Sequence, residues 1–199
     1  MWFLNYSNAI DPLLKNLRVF IVKFAEAKAG DKILDVCCAT GDQVFHYAKT
    51  GAIATGVDLN PKMIEIAVKK QKSYGLNNVY FQVADAANLP FEDSMFDMVS
   101  ISLGLHEVER EVRDKIIFEM KRVVKKGGSL IFADFRVPLP QNYISYLIKG
   151  VEYFAGRRHY KNFKDYLQQG GLPVLLKKNG LKEVKKVENG LFTIIIDVN

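Results

Sequence analysis

The chain has 199 residues, 49% of them hydrophobic and 25% charged, proportions that exclude intrinsic disorder and suit one domain with a single core. Lysine and arginine outnumber aspartate and glutamate by 28 to 22, a formal charge of +6, which permits an anionic partner such as nucleic acid or a lipid surface without requiring one. The only cysteines, Cys37 and Cys38, are adjacent; they cannot staple distant segments and offer no metal-ligand spacing, which fits a reducing compartment.

The opening "MWFLNYSNAIDPLL" lacks the basic region, long apolar core and small-residue cleavage site of a secretory signal. No stretch approaches 18 uninterrupted apolar residues, so the expectation is a cytoplasmic protein with no transmembrane segment. Over residues 11–28, Leu13, Leu14, Leu17, Phe20, Ile21 and Phe24 recur at spacings of three and four, one helical stripe. Then come "KILDVC", "AIATGVDL", "VYFQVAD", "FDMVSIS" and "GSLIFADF", short apolar or β-branched runs that read as strands. Between them, residues 43–50, 62–74 and 108–125 read as helices. Strands alternating with helices imply β-α-β crossovers and a parallel sheet covered on both faces.

The alternation breaks after the fifth strand. Residues 137–176, with "LPQNYISYLIKGVEYF" and "FKDYLQQGGLPVLLKKNG", read as two or three helices carrying aromatics. "LKEVKKVENGLFTIIIDV" is two strands around Asn189-Gly190, a strong hairpin signal. The expected fold is α/β: a doubly wound, Rossmann-like, mainly parallel sheet of seven strands ending in an antiparallel hairpin, with helices on both faces. Residues 1–199 form a single domain in this reading, with a helical cap at 1–29 and a helical insert at 137–176 over the substrate.

In an open α/β sheet, ligands bind beyond the carboxyl ends of the strands, at the point where strand order reverses. Asp35 and the turn Cys37 to Gly41 follow the first strand, Asp58 ends the second, Asp85 follows the third, and Ser102 to Glu107 follow the fourth. An acid ending the second strand can accept hydrogen bonds from a ribose diol, as any adenosine-containing ligand requires. A dinucleotide site would want G-x-G-x-x-G after the first strand, whereas here C-C-A-T-G-D has one glycine, and Asp42 would repel a pyrophosphate. A phosphate-free ligand with a cationic centre and an amino-acid tail fits better.

The segments "ILDVCCATGD", "GVDLNPKMIEIA", "VADAANLPFEDSMFDMVSISLGLHEV" and "VVKKGGSLIFADF" resemble class I S-adenosylmethionine-dependent methyltransferases, in particular the ubiquinone/menaquinone C-methyltransferase-like (methyltransferase type 11) group. The resemblance covers residues 30–135 and extends more loosely over "HYKNFKDYLQQGGLPVLLKKNGLKEVKKV". The group's first motif is D-x-G-x-G-x-G; here Cys37 and Ala39 replace two of its three glycines. An alanine held at positive φ would cost about 1 kcal/mol.

The resemblance implies that Asp58 holds the ribose hydroxyls, with Leu59 and Met63 near the adenine. It implies that Asp85 accepts from the adenine amino group with Ala86 beside it, that Ala39 and Gly41 line the methionine portion through their backbone, and that Asp35 and Cys37 are also cofactor-binding. By the same resemblance Ser102 is expected to mark the cofactor side of the fourth strand, and Tyr6 sits where this group has a tyrosine closing over the cofactor. The cofactor that the resemblance implies is S-adenosylmethionine, with S-adenosylhomocysteine as product, and no metal is expected.

Methyl transfer from a sulfonium needs alignment, dry surroundings and, for some acceptors, a base. His106 and Glu107, in the loop that faces substrate in this group, are the catalytic candidates, with Asp134 and Tyr160 behind them. The alternative for this pair is a helix start at Glu107 and a packed wall residue at His106. The acceptor is expected to be a small hydrophobic or lipid-like molecule. "GRRHYKNFK" mixes cations and aromatics and could meet RNA or an anionic membrane over residues 157–164. The competing readings are an RNA or tRNA methyltransferase, a non-catalytic module that binds S-adenosylmethionine, and, last, a nicotinamide dehydrogenase.

Overall fold

The computed structural model describes residues 14–199; Tyr6 and the start of the cap lie outside the described residues. Helix α1 covers residues 14–24. There follow β1 (Lys32–Val36), α2 (Asp42–Ala48), β2 (Ile53–Asp58), α3 (Pro61–Tyr74), β3 (Val79–Val83) and β4 (Phe96–Ser102). A 3-10 turn (Leu105–Glu107) leads to α4 (Arg110–Val123) and β5 (Val124–Phe135). The chain ends with α5 (Tyr143–Phe154), α6 (Arg157–Gln168), α7 (Gly171–Lys178), β6 (Lys185–Asn189) and β7 (Phe192–Val198).

The seven strands form one sheet in the order β3-β2-β1-β4-β5-β7-β6. The first five are parallel, and β7 runs antiparallel to both β5 and β6. Both faces are covered, which is why the strands read as continuous apolar runs instead of alternating ones. Along β5, Leu130 and Phe132 enter one core with α4, α6 and α7, while Ile131 and Ala133 enter the other with α1, α2 and α3. On β7, Ile195 belongs to the first core and its neighbours Ile194 and Ile196 to the second.

Local chemistry sets the boundaries. Helix α3 starts on Asn60, whose side chain accepts from the Lys62 N–H, with Pro61 as the first helical residue and Gly75 as a left-handed stop. Helix α4 ends at Val123, two residues before the expected position. Val124 is already extended and pairs with Phe96, so β5 extends back to meet it and tertiary pairing overrides helical period. The hairpin also differs from expectation. Asn189 pairs with Phe192, leaving Gly190 and Leu191 as the turn, and only Gly190 takes positive φ. The 137–176 segment forms three helices, the last reaching Lys178.

Arg113 is 2% exposed. It donates to the carbonyls of Leu105 and Asn162 and pairs with Asp165 at 2.8 Å. One guanidinium thus ties the turn after β4 to α6, and a charge so placed is tolerable only because its donors are met.

Candidate active site

Sheet order reverses between β1 and β4, and there Asp35 stands in register with Ser100. The turn after β1 is left-handed three times over, with φ of 56° at Cys37, 48° at Ala39 and 80° at Gly41. Gly41 is required for space as well as for φ, because a Cβ there would come within 2.5 Å of the Phe81 ring. Ala39 holds a left-handed conformation that strains an alanine and that a glycine adopts freely. Replacing Ala39 by glycine is expected to stabilise the fold by about 1 kcal/mol and raise Tm by about 2–4 °C in a thermal scan. An unchanged or lower Tm would mean that the turn relaxes out of positive φ.

Asp58 braces this turn. One carboxylate oxygen accepts from the Ala39 N–H and the other from the Asn60 N–H, each at 2.9 Å. Asp42 lies on the far side, where it accepts from Thr40 and Lys70 and has Arg18 at 3.8 Å. Burial pushes its carboxyl up, but Lys70, Arg18 and Thr40 outweigh that and hold it below the ordinary range.

A cleft of about 140 Å³ opens above the turn. Asp35, Cys37, Cys38, Ala39, Asp58, Ser102 and Glu107 line it from the strand ends, and Leu14, Leu17, Arg18 and Ile21 close it from α1. Ser102 and Gln43, two of its lining residues, each carry a buried side-chain oxygen, Ser102 Oγ and Gln43 Oε1, that has no hydrogen-bond partner among the described residues, an arrangement that suits a polar ligand. Asp35 is 2% exposed and accepts from Ser100 Oγ at 2.6 Å. Burial raises its pKa to about 7 against the opposing pull of Ser100 and Arg18. A cation entering the cleft would relieve that charge.

The remaining expected residues divide into two groups. Leu59, Met63, Asp85 and Ala86 sit at the same end of the sheet without lining the enclosed cleft. Asp85 lies two residues beyond Val83, the partner of Asp58, and its carboxylate accepts from the Ala87 N–H. Of the catalytic candidates only Glu107 lines the cleft. His106 is buried among Phe135, Phe163 and Tyr166, its Nδ1 2.6 Å from Asp134. Burial disfavours the imidazolium, but Asp134, then Glu107 and Glu152, favour it and raise the pKa to about 9. Tyr160 packs edge-on against Tyr153 on α5.

Against known families, residues 12–191 match the ubiE/COQ5 methyltransferase family. The chain belongs to that family. Similar curated proteins include the demethylmenaquinone methyltransferase of Bacillus subtilis, 31% identical over 86% of this chain and 79% of that protein. The demethylmenaquinone methyltransferase of Staphylococcus haemolyticus is 39% identical over 61% of the chain, a region spanning only half of that relative's length. Among solved structures, a SAM-dependent methyltransferase from Aquifex aeolicus superposes with a TM-score of 0.68 at 19% identity, covering 91% of this chain and 88% of that one.

The cleft of this member of the ubiE/COQ5 family has a chemistry that suits S-adenosylmethionine. Asp35 and Asp58 supply negative charge and acceptors, and Ser102 and Gln43 supply polar atoms that have no partner among the described residues. Gln43 and Arg18 were not anticipated from sequence. Gln43 reads there as an ordinary first-turn helix residue, whereas in the structure it donates to the Arg18 carbonyl at 3.4 Å and so adds a polar tie to the apolar packing of Leu17 and Ile21 that holds α1 against the site. The stripe on α1 was the available signal, but a stripe does not say what it covers.

Proposed function

We propose that this chain transfers the methyl group of S-adenosylmethionine to a ring carbon of a small quinone-like acceptor in its hydroquinone form. The observation that carries the reading is the convergence of Asp35, Asp58, Ser102 and Gln43 on one cleft at the switch point of a ubiE/COQ5 chain. The acceptor class rests on the names of the relatives, both demethylmenaquinone methyltransferases.

When bound, the cofactor supplies an electrophilic methyl group on a sulfonium. The protein's part is alignment, exclusion of water and removal of one proton from the acceptor. In this reading Asp58 and Asp35 anchor the cofactor, while Leu59, Met63, Asp85 and Ala86 attend its adenine. Leu14, Leu17 and Ile21 exclude water from above, and Glu107, on the cleft wall, takes the acceptor's proton. His106 then holds the turn that presents Glu107.

Helix α5 supports a lipid-like acceptor. Tyr143, Tyr146, Leu147, Tyr153 and Phe154 on it are exposed, an apolar face that can cover a hydrophobic ring and its tail. We read residues 137–176 as the acceptor cover and residues 1–29 as the cofactor cap of one unit. Beside α5, Arg157, Tyr160, Lys161 and Lys164 border a groove of about 370 Å³, a feature that also suits an anionic surface or RNA. No described helix is long and apolar enough to cross a membrane.

The test is turnover of isotopically labelled S-adenosylmethionine with 1,4-naphthohydroquinone carrying a short prenyl tail, with product read by mass spectrometry. Methylation of the ring carbon is the expected result. Methyl transfer to tRNA but not to the hydroquinone would replace this reading with the RNA one. Cofactor binding without turnover on either acceptor would leave a binding module.

A further inference from the structure

A buried group of histidine and carboxylate side chains lies beside the cleft, outside it. Asp134, at the end of β5 and fully buried, holds His106 Nδ1 at 2.6 Å and accepts from the backbone N–H of His106 and Phe135 as well. With Nδ1 committed, Nε2 is the nitrogen left to meet another group, and it points toward Glu152 of α5, 3.9 Å away. The second oxygen of Glu152 meets His159 Nε2 of α6. Two imidazole nitrogens from different elements thus converge on the two oxygens of one buried carboxylate, and all three groups offer donor atoms within 4.8 Å of one another.

We infer that His106, Glu152 and His159 form a binding site for a divalent first-row transition cation, with Asp134 as the outer carboxylate that orients His106. Two neutral imidazoles and one carboxylate are the donor set of zinc, iron, cobalt and manganese sites, whereas magnesium and calcium prefer oxygen alone. A carboxylate on the far nitrogen of a ligating histidine is the usual supporting contact of such sites, fixing tautomer and ring orientation. Three protein ligands leave room for water or an exogenous oxygen, and His159 is the half-buried member through which the cation enters.

The bound cation takes the place of the protons these groups otherwise share. It draws α5 and α6 onto the strand ends and fixes the 3-10 turn whose last residue, Glu107, lines the cleft. This inference stands apart from the acceptor reading, because cation binding is measured without cofactor or acceptor.

The experiment uses the full chain, purified without a histidine tag and stripped with chelator, then titrated with Co²⁺ and followed by visible absorption. A single equivalent is expected to bind, giving d–d bands without the near-ultraviolet charge transfer of a thiolate ligand. Zn²⁺ is expected to displace it, and excess Mg²⁺ to leave it in place. His159→Ala abolishes the bands, and Asp134→Asn, which keeps the shape, weakens binding about 10–100-fold. His46→Ala, which removes the one histidine outside the cluster, changes nothing. Glu152→Gln serves as the second ligand variant should His159→Ala lose its native circular dichroism. Absence of stoichiometric binding, thiolate charge transfer from Cys37 or Cys38, or bands that survive in a folded ligand variant each overturn the site and leave a metal-free ion-pair network.

Discussion

Asp58→Ala is expected to weaken S-adenosylmethionine binding by at least about 100-fold in a calorimetric titration. Hydrogen bonds to a charged acceptor contribute about 1.5–3 kcal/mol each, and a ribose diol makes two. Asp58 has capacity for both, because each oxygen spends one lone pair on the Ala39 or Asn60 N–H and keeps another. The same substitution strips the turn of its brace, so a lower Tm is expected as well. Asp58→Asn separates the two effects. Its single oxygen can serve only one of the two backbone N–H groups, so part of the brace remains while the charge is gone. An affinity close to that of the parent in both variants would remove Asp58 from the cofactor site.

The second large effect concerns pH. Asp35 is raised from 3.8 to about 7 by burial, opposed by Ser100 and Arg18 and reinforced slightly by Asp58. Between pH 4 and 7 the folded chain holds a proton that the unfolded chain has released, so this group makes stability fall as pH rises through that window. Above pH 7 its full cost is present, about 4 kcal/mol for about three pH units. Asp35→Asn carries no charge and removes that slope.

Urea unfolding at pH 4 and pH 8 is therefore expected to show the variant gaining about 4 kcal/mol on the parent between the two. The absolute difference at either pH also contains about 1–3 kcal/mol for the new buried amide, so the change with pH is the quantity to read. Identical pH profiles would show that Asp35 is ionised at no cost in the native state. Cofactor binding to the variant is expected to weaken, a buried charge being retained against stability where it serves a cationic ligand.

The alternation of strands and helices was legible in the sequence because each run had the length and residue type of its element, and the parallel order followed from the crossovers. Element ends were less so. Val124 looks helical by spacing and is extended because Phe96 offers it a partner. Asn189 looks like a turn residue and is a strand residue because the pairing of β6 with β7 runs one step further. The cleft acids Asp35 and Asp58 were legible since their position at strand ends is a sequence property. Gln43 and Arg18 were not, since a helix residue's neighbours across space leave no mark on its own spacing.

The sequence by itself determined the sheet, the switch point and the acids that end its strands, all consequences of local periodicity and chain order. Tertiary structure alone decided that Ala39 takes positive φ, because the turn is clamped between Val57 and Asp58. It alone decided that His106 faces away from the cleft while its neighbour Glu107 lines it. In a one-turn 3-10 segment consecutive side chains diverge, and the buried Asp134 captures the imidazole. The meeting of His106, Glu152 and His159 likewise has no sequence signature, for it depends on how α5 and α6 fold back over the sheet, a matter of packing between segments distant in the chain.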